Sequence, residues 1–283
     1  MDFAEVRKLT IIALFSDDLL FEHLVLKGGN ALSLVHGLSA RRSLDLDFSI
    51  ELDFADLEDA RRRIFRAIKN HFSSAGFVVF DESFGPKPEV PGPHQQTWWG
   101  GYELEFKLIE EAKYKALGGS IESVRRNAFV VGPGQQRKFS VDMSRYEYCG
   151  GKVERELDSY TICVYSPAMI VVEKLRAICQ QMPEYGMQRK PSRRARDFYD
   201  IWRVVTSAKL DLATPEIVEL AEHIFAAKHV PLDLLSRVGQ HREFHRPDWP
   251  AVVSSVAEQL MDFDYYFDFV IERIAELEAL RVE

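Results

Sequence analysis

Two carboxylates spaced two residues apart, Asp45 and Asp47, are the first candidates for chemistry in this sequence. Apolar residues alternate with polar ones over residues 44–50, which predicts a β-strand. In a strand, residues two apart point to the same face, and the strand rise separates these two by about 7 Å. Two carboxylates at this spacing repel unless a cation lies between them, and hard divalent cations prefer oxygen ligands. The pair therefore predicts a site for a divalent cation.

A glycine pair precedes these carboxylates. An apolar run at residues 24–26 predicts a short strand, Gly28 and Gly29 predict a turn, and the spacing over residues 30–36 predicts a short helix closed by Gly37. Glycine lets the backbone approach a ligand closely, and the N-terminus of a helix favours an anion. This turn is therefore a candidate phosphate site.

The string KGGNALSLVHGLSARRSLDLDF, residues 27–48, resembles the nucleotidyltransferase signature of the polymerase-beta superfamily, in which a Gly-Gly or Gly-Ser turn precedes an Asp-x-Asp strand. In its detailed residue pattern, this string looks like the AbiEii/AbiGii toxin family within that superfamily. Asn30 departs from the Ser or Thr that such families more often carry, although an Asn side chain can also donate to a phosphate. The resemblance implies that the nucleotide is bound by Lys27, Gly28, Gly29, Asn30, Arg42 and Ser43.

A third metal-site carboxylate is expected on a neighbouring strand, because members of the superfamily place one there. Residues 138–144 alternate like a strand and contain one acid, Asp142, which is the first candidate. Glu103 and Glu105, in a predicted strand over residues 98–109, are the alternatives. With Asp45 and Asp47, Asp142 would hold Mg²⁺ or Mn²⁺.

Two predicted helices carry the remaining candidates. The first begins at a Ser-Pro cap and runs to about residue 182, and the second covers residues 194–205. By helical spacing, Lys174 falls at the border of the apolar and polar faces of the first helix. Asp197 falls beside the buried face of the second helix, whereas Asp200 falls nearly opposite the centre of that face.

The strings EKLRAI and RARDFYDIW on these helices also resemble the AbiEii-type families. That resemblance assigns Lys174 and Asp197 to the active site. The two residues lie roughly equidistant from residue 186 in the loop that joins the helices, so an antiparallel hairpin is expected to bring them together. The border position predicts that Lys174→Ala costs little stability, because only part of the lysine stem would be buried.

The net charge of the chain argues against a protein that coats nucleic acid without sequence preference. It carries 36 Lys and Arg against 44 Asp and Glu, a net charge of -8, and a coat would need a broad basic surface. Local basic clusters remain compatible with an RNA substrate. One is Arg41-Arg42, beside the aspartates. The other gives the predicted RNA-binding residues Arg193, Arg194 and Arg196.

Length and composition are those of a globular protein. The chain has 283 residues with 46% hydrophobic and 28% charged residues, enough for a core of normal size. No apolar run approaches the length that spans a bilayer, and the N-terminus lacks the features of a signal peptide. Three cysteines without metal-like spacing are expected to be buried and reduced. The expected location is the cytoplasm, without a membrane partner.

The predicted fold class is α+β (α/β): a nucleotidyltransferase-like mixed β-sheet with flanking helices, followed by a helical C-terminal part. The expected domains are residues 1–165, the nucleotidyltransferase-like core, and residues 166–283. Further helices are predicted at residues 3–20, 55–74, 110–127 (interrupted at its glycines), 248–260 and 264–280, a strand at 77–80, and a Pro-rich loop at 84–97.

The function implied by the resemblance is a metal-dependent nucleotidyltransferase, the toxin of a toxin–antitoxin or abortive-infection system. It would transfer a nucleoside monophosphate from an NTP to the 3′ end of tRNA, to another RNA or to a protein hydroxyl, and a cognate antitoxin would be its partner. The alternative of another class is a catalytically inert module that binds nucleotide or a protein partner. Intact Asp45 and Asp47 argue against an inert module.

Overall fold

The computed structural model of the chain describes residues 1–38, 45–90, 96, 98–118, 120–187 and 190–282. The predicted nucleotide-binding residues Arg42 and Ser43 lie outside the described residues, as does Arg41. The strands are β1 Leu24–Lys27, β2 Leu46–Ile50, β3 Phe77–Lys87, β4 Gly101–Glu110, β5 Phe139–Arg145, β6 Lys152–Leu157 and β7 Tyr160–Tyr165. The α-helices are α1 Phe3–Phe15, α2 Asp18–His23, α3 Gly28–Asn30, α4 Leu57–Ser74, α5 Glu111–Ala116, α6 Ile121–Arg126, α7 Pro167–Cys179, α8 Ala195–Ala208, α9 Pro215–Ala226, α10 Arg242–His245, α11 Trp249–Ser255 and α12 Phe263–Val282.

The described strands form one seven-stranded sheet in the order β3-β4-β5-β2-β1-β7-β6. The sheet is mixed, since β2 pairs with β5 and β1 with β7 in parallel, whereas β3–β4 and β4–β5 are antiparallel. This confirms the predicted fold class. Strands β6 and β7 were not predicted. The residues of β6 are mostly polar and exposed, so this stretch resembles a loop in sequence. Strand β7 ends directly before the Ser-Pro cap at which α7 begins.

The predicted loop at residues 84–97 is wrong at its start, because β3 continues to Lys87. Residues 83–87 keep their register with β4 although Pro86 lies within them. The register shifts between Phe80 and Ser83. Proline is tolerated at an edge strand, and β3 is an edge of the sheet. The prediction gave proline and glycine too much weight here.

The chain divides into two compact units. Unit 1 contains Met1–Leu26, Leu44–Tyr146 and Glu154–Val164, and unit 2 contains Lys27–Ser43, Glu147–Val153 and Tyr165–Glu283. The sequence prediction assigned residues 27–43 and 147–153 to the first domain, whereas by their contacts both segments group with the helical unit. Gly28, Gly29 and the segment Glu147–Val153 therefore belong to unit 2.

The core of unit 1 is held by its aromatic residues. Helix α4 buries residues at helical spacing, ending with Phe72, and packs against α1 and β3. The ring of Phe72 lies 5.6 Å from that of Phe106 on β4, which lies 5.4 Å from that of Phe139 on β5. These rings lie on one face of β4 and β5, whereas Glu103, Glu105 and Asp142 lie on the other face of these two strands. That division positions the carboxylates described below.

Unit 2 is organised around α7. Ser166 caps this helix by accepting a hydrogen bond from the backbone N–H of Met169, as its sequence predicted. Helices α8 and α9 pack against α7, and α12 packs against α8. The ring of Phe198 stacks 4.9 Å from that of Phe267 on α12. Helix α8 is therefore covered on two sides, which matters for the acids that it carries.

Candidate functional site

A row of carboxylates crosses three neighbouring strands of unit 1. Asp47 on β2 is in register with Asp142 on β5, which is in register with Glu103 on β4. Leu46 on β2 is buried on the opposite face, and Asp47 and Asp142 are half-buried. Asp45 is exposed immediately before β2. The sheet therefore brings Asp142 beside Asp47, as a metal site on neighbouring strands requires.

Register also separates the two alternatives for the third carboxylate. Glu103 lies opposite Asp142, whereas Glu105 lies opposite Ser140 and forms an ion pair with Lys138 at 3.0 Å. Glu103 is therefore a direct neighbour of Asp142, and Glu105 lies one step further along the face.

The ammonium of Lys87 lies between the carboxylates of Asp142 and Glu103. Its Nζ is 2.5 Å from Asp142 Oδ1 and 2.9 Å from Glu103 Oε1. Burial opposes the charged lysine, but both carboxylates together raise its pKa. Sequence reasoning missed Lys87 because it assigned the residue to a loop. A metal ion at Asp142 would compete with this ammonium.

The described residues include no group of three or more His, Cys, Asp or Glu side chains placed to hold a metal ion. Mg²⁺ is usually held by one or two carboxylates, with substrate phosphates and water completing its octahedral shell. Asp47 and Asp142, as oxygen donors in register, fit that mode of binding. The donor set therefore suits a cation that arrives with a triphosphate.

The predicted glycine turn lies in unit 2. Gly28 has φ +69°, a left-handed conformation that favours glycine, and Gly28 and Gly29 are half-exposed. Asn30 is fully buried. A π-helical turn, Ala31–Val35, follows α3, and His36 Nε2 lies 2.8 Å from the carbonyl oxygen of Tyr165. The backbone of the two glycines is therefore the accessible part of this turn.

Lys174 and Asp197 meet, as the predicted hairpin of α7 and α8 requires. Lys174 Nζ donates to Asp197 Oδ1 at 2.7 Å and to Asp200 Oδ2 at 2.8 Å. The side chains are 14%, 10% and 4% exposed in that order. The three residues form a buried charged triad. Their catalytic role stays a prediction.

Two sequence expectations about this triad are wrong. Asp200 does not lie away from the protein interior, because α8 packs against both α7 and α12, so its buried face is wider than a single stripe. Lys174 does not lie at an exposed border. Burial opposes its charge, but Asp197 and Asp200 overcome that effect and raise its pKa, and Lys174 lowers the pKa of Asp197 against the effect of burial.

The predicted RNA-binding arginines differ in their surroundings. Arg193 is exposed and Arg196 is half-buried. Arg194 Nη1 lies 3.5 Å from Asp197 Oδ2, and the Arg194 backbone N–H donates to His245 Nδ1 at 3.0 Å. Arg194 is therefore tied to the Lys174 triad, which leaves Arg193 and Arg196 as the better candidates for RNA contact.

His245 should make the N-terminus of α8 sensitive to acid. Burial lowers the pKa of His245 to about 4, and His241 acts in the same direction. In the unfolded state this imidazole binds its proton near pH 6.5, well before it does so in the folded state. The free energy of unfolding therefore falls by on the order of 3 kcal/mol as the pH drops from 6.5 toward 4. His245→Asn keeps an acceptor for the Arg194 N–H, so its urea midpoint should fall less between pH 7 and pH 4. Equal losses in parent and variant would contradict this role.

Sequence reasoning named Lys27 only as a nucleotide-binding residue and missed that it belongs to a group of charges in unit 2 with Glu147, Glu173, Arg176 and Lys228. Glu173 and Arg176 flank Lys174 in a strongly apolar helix, and charged residues inside such a helix were the available signal. The three cysteines are buried thiols, as expected. The described helices include none long and apolar enough to cross a membrane.

A mixed sheet, a strand that carries Asp47 and begins directly after Asp45, and a glycine turn after a short strand are features of the nucleotidyltransferase class. A family model described as nucleotidyl transferase AbiEii toxin, type IV toxin–antitoxin system, matches residues 11–273. The chain belongs to this family of nucleotidyltransferase toxins.

The crystal structure of an antigenic nucleotidyltransferase-like protein from Paracoccidioides brasiliensis is similar to this chain, with 14% sequence identity and a TM-score of 0.41. The similarity covers 90% of this chain and 95% of that chain. No curated protein sequence matches.

Proposed function

We propose that this protein is the metal-dependent nucleotidyltransferase toxin of a toxin–antitoxin system, and that it transfers a nucleoside monophosphate from an NTP to an RNA acceptor such as the tRNA 3′ end. The observation that carries the proposal is the register of Asp47 with Asp142, together with the family. A cognate antitoxin protein is the expected partner.

The proposed reaction joins an acceptor oxygen to the α-phosphorus of the NTP. The bond from that phosphorus to the oxygen bridging to the β-phosphate breaks, pyrophosphate leaves, and the acceptor hydroxyl releases its proton to water. Asp45, Asp47 and Asp142 would hold Mg²⁺ or Mn²⁺. When bound, the metal supplies charge neutralisation on the phosphates and a lowered pKa of the acceptor hydroxyl.

The chain's own cations would support the phosphates. The backbone of Gly28 and Gly29 offers N–H donors, and Lys27 precedes them. Lys174 would neutralise the negative charge that develops on the phosphates in the transition state. Since its ammonium already binds two carboxylates, this role requires one of them to be exchanged for phosphate. If Asp197 is the carboxylate that is released, Arg194, which lies 3.5 Å from it, would then compensate its charge.

The proposal is tested by incubating the protein with each α-labelled NTP, Mg²⁺ and total tRNA, followed by gel electrophoresis. Label on RNA supports the proposal. Label on a protein band favours modification of a protein hydroxyl, and label on neither with any of the four NTPs favours an inert binding module.

The RNA acceptor predicts a role for Arg193 and Arg196. Reversing both charges to Glu should weaken RNA binding and reduce its dependence on salt, because each lost phosphate contact releases about one counterion fewer. NTP binding should stay nearly unchanged. The measurement is RNA binding at several salt concentrations, with Arg155→Glu, an exposed arginine on β6, as the control for charge. An unchanged salt slope in the double variant would place the RNA elsewhere.

A further inference from the structure

Lys87 on β3 is a cation that lies directly against the predicted third metal-site carboxylate. Its Nζ is 2.5 Å from Asp142 Oδ1 on β5 and 2.9 Å from Glu103 Oε1 on β4. All three residues belong to unit 1. The proposed reaction assigns no role to this ammonium, although one of its two partners is a predicted metal ligand.

Strand register places Lys87 on the face of the sheet that carries these carboxylates. Lys87 is paired with Gly101 on β4, two residues before Glu103, and residues two apart in a strand point to the same face. Glu103 is in turn paired with Asp142 on β5. Because Gly101 has no side chain, the stem of Lys87 can extend over β4 toward β5. The contact of Lys87 with Asp142 therefore follows from the pairing of three strands.

The ion pairs of Lys87 are partly exposed. The side chains of Lys87, Asp142 and Glu103 are 48%, 43% and 35% exposed, whereas those of the Lys174 triad are 4–14% exposed. Pairs at such exposure are weak, because water solvates both charges and a long side chain loses freedom when it pairs. The ammonium of Lys87 is therefore easier to displace than that of Lys174.

A metal ion that binds alone at Asp142 meets a cost from Lys87. Either the ammonium gives up its contact with Asp142, or two cations lie close together and repel each other. A divalent cation can still displace the ammonium, because it carries twice the charge and binds carboxylate oxygen at a shorter distance. Lys87 therefore lowers the affinity of Asp142 for a metal ion without excluding that ion.

A metal ion that arrives with a triphosphate reverses this effect. Mg²⁺ is usually held by one or two carboxylates, and substrate phosphates complete its coordination shell. The displaced ammonium of Lys87 then lies beside phosphate oxygens, and its flexible stem and three N–H donors suit such a partner. In this state Lys87 exchanges its carboxylate partners for phosphate, so it adds to the affinity.

We propose that Lys87 is a specificity-determining residue of the nucleotidyl-transfer site: its ammonium disfavours a divalent metal ion that binds without nucleotide and favours the same ion bound to a triphosphate. This inference rests on the proposed function, because it takes the metal–triphosphate complex to be the substrate. Since one side chain interacts differently with the two ligands, its removal changes the two affinities in opposite directions.

Two binding measurements on the whole chain test these opposite signs. In the first, Mn²⁺ alone is titrated, and the electron paramagnetic resonance signal of the free aquo ion reports binding. In the second, the α,β-methylene analogue of each of the four NTPs, which cannot be transferred, is titrated at saturating Mn²⁺ by calorimetry. Lys87→Met should bind Mn²⁺ about fivefold more tightly than the parent and the metal–nucleotide complex about fivefold more weakly.

Three further variants separate the position of Lys87 from its charge. Lys138→Met is the matched control, because Lys138 is 51% exposed and pairs with Glu105 on the same face of β4 at 3.0 Å. It should bind both ligands like the parent. Lys87→Arg keeps a cation and should bind Mn²⁺ like the parent. Lys87→Met in an Asp142→Asn background should show no gain in Mn²⁺ affinity over Asp142→Asn alone.

The inference is overturned if Lys87→Met binds Mn²⁺ no more tightly than the parent, or if it binds the metal–nucleotide complex as tightly as the parent. A lysine that only holds the strands together would lower both affinities or change neither. Thermal melts of the same preparations check the fold, and Lys87→Gln is the second neutral variant should the Met variant not fold. Absence of nucleotidyl transfer with every NTP would reject the proposed function while the opposite changes in affinity stand.

Discussion

Asp45→Asn and Asp47→Asn are each expected to lower nucleotidyl transfer at least about 100-fold while leaving the fold intact. Both side chains retain their shape in the variants, and neither is fully buried. The substitution removes one anionic oxygen ligand from a metal whose contribution to the transition state is several kcal/mol. Activity is therefore expected to fall without a matching loss of stability.

Rates and thermal melts of the same preparations provide the measurement. Asp158→Asn is the control, because Asp158 is an exposed acid of unit 1 that pairs with Lys8. It should transfer nucleotide at the parent rate. Parent activity in either Asp45→Asn or Asp47→Asn would remove that residue from the metal site.

Lys174→Ala is expected to be among the most destabilising single changes in unit 2. It leaves Asp197 and Asp200 buried without the ammonium that both bind at under 3 Å. Breaking a buried ion pair from one side costs about 3–5 kcal/mol, which lowers the melting temperature of a chain of this size by roughly 10 °C. A melting temperature within a degree or two of the parent would contradict this.

The pH dependence of stability should show the same triad. The pKa of Lys174 is raised, so its contribution is complete below the unfolded value near 10.4 and is lost only at higher pH. The pKa of Asp197 is lowered, so its contribution is complete above the unfolded value near 3.9 and is lost in acid. The triad therefore stabilises the fold between these limits.

Because Lys174→Ala disturbs the fold, a double variant is needed to ask about catalysis. Lys174→Met with Asp200→Asn preserves the net charge of the triad, and neutral side chains of similar size replace the ion pair. It should melt well above Lys174→Ala, because only Asp197, and not Asp200 as well, is then left as a buried carboxylate without the ammonium. If Lys174 neutralises phosphate charge, this variant should fold, but its rate of nucleotidyl transfer should be at least about 100-fold lower than that of the parent. Transfer at the parent rate would make Lys174 structural.

The sequence predicted those parts of the site that depend on local periodicity. The alternation around Asp45 and Asp47 predicted the strand that carries Asp47, although that strand begins directly after Asp45. Two helices flanking a short loop predicted the meeting of Lys174 with Asp197. In both cases the backbone geometry determines the placement, and the chain distance is short. The helical C-terminal part followed from the same periodicity.

Contacts between distant segments could not be predicted in this way. Asp200 was judged on a helical wheel with one buried face, whereas α8 packs against two helices. Lys87 on β3 contacts Asp142 on β5 across two strand pairings, β3–β4 and β4–β5. The alternation of apolar and polar residues within one strand does not determine its register with another strand. Glu147 and Lys228 are separated by 81 positions, and no periodicity links them.

The central claim is nucleotidyl transfer, and a paired-label measurement tests it most directly. The same NTP is supplied with label at either its α- or its γ-phosphate, with Mg²⁺ and total tRNA, and the acceptor and the released phosphates are separated. The proposed reaction predicts α-label on the acceptor and γ-label in pyrophosphate, with both signals lost in Asp47→Asn. Transfer of γ-label to the acceptor, or no transfer of either label from any of the four NTPs, would contradict it.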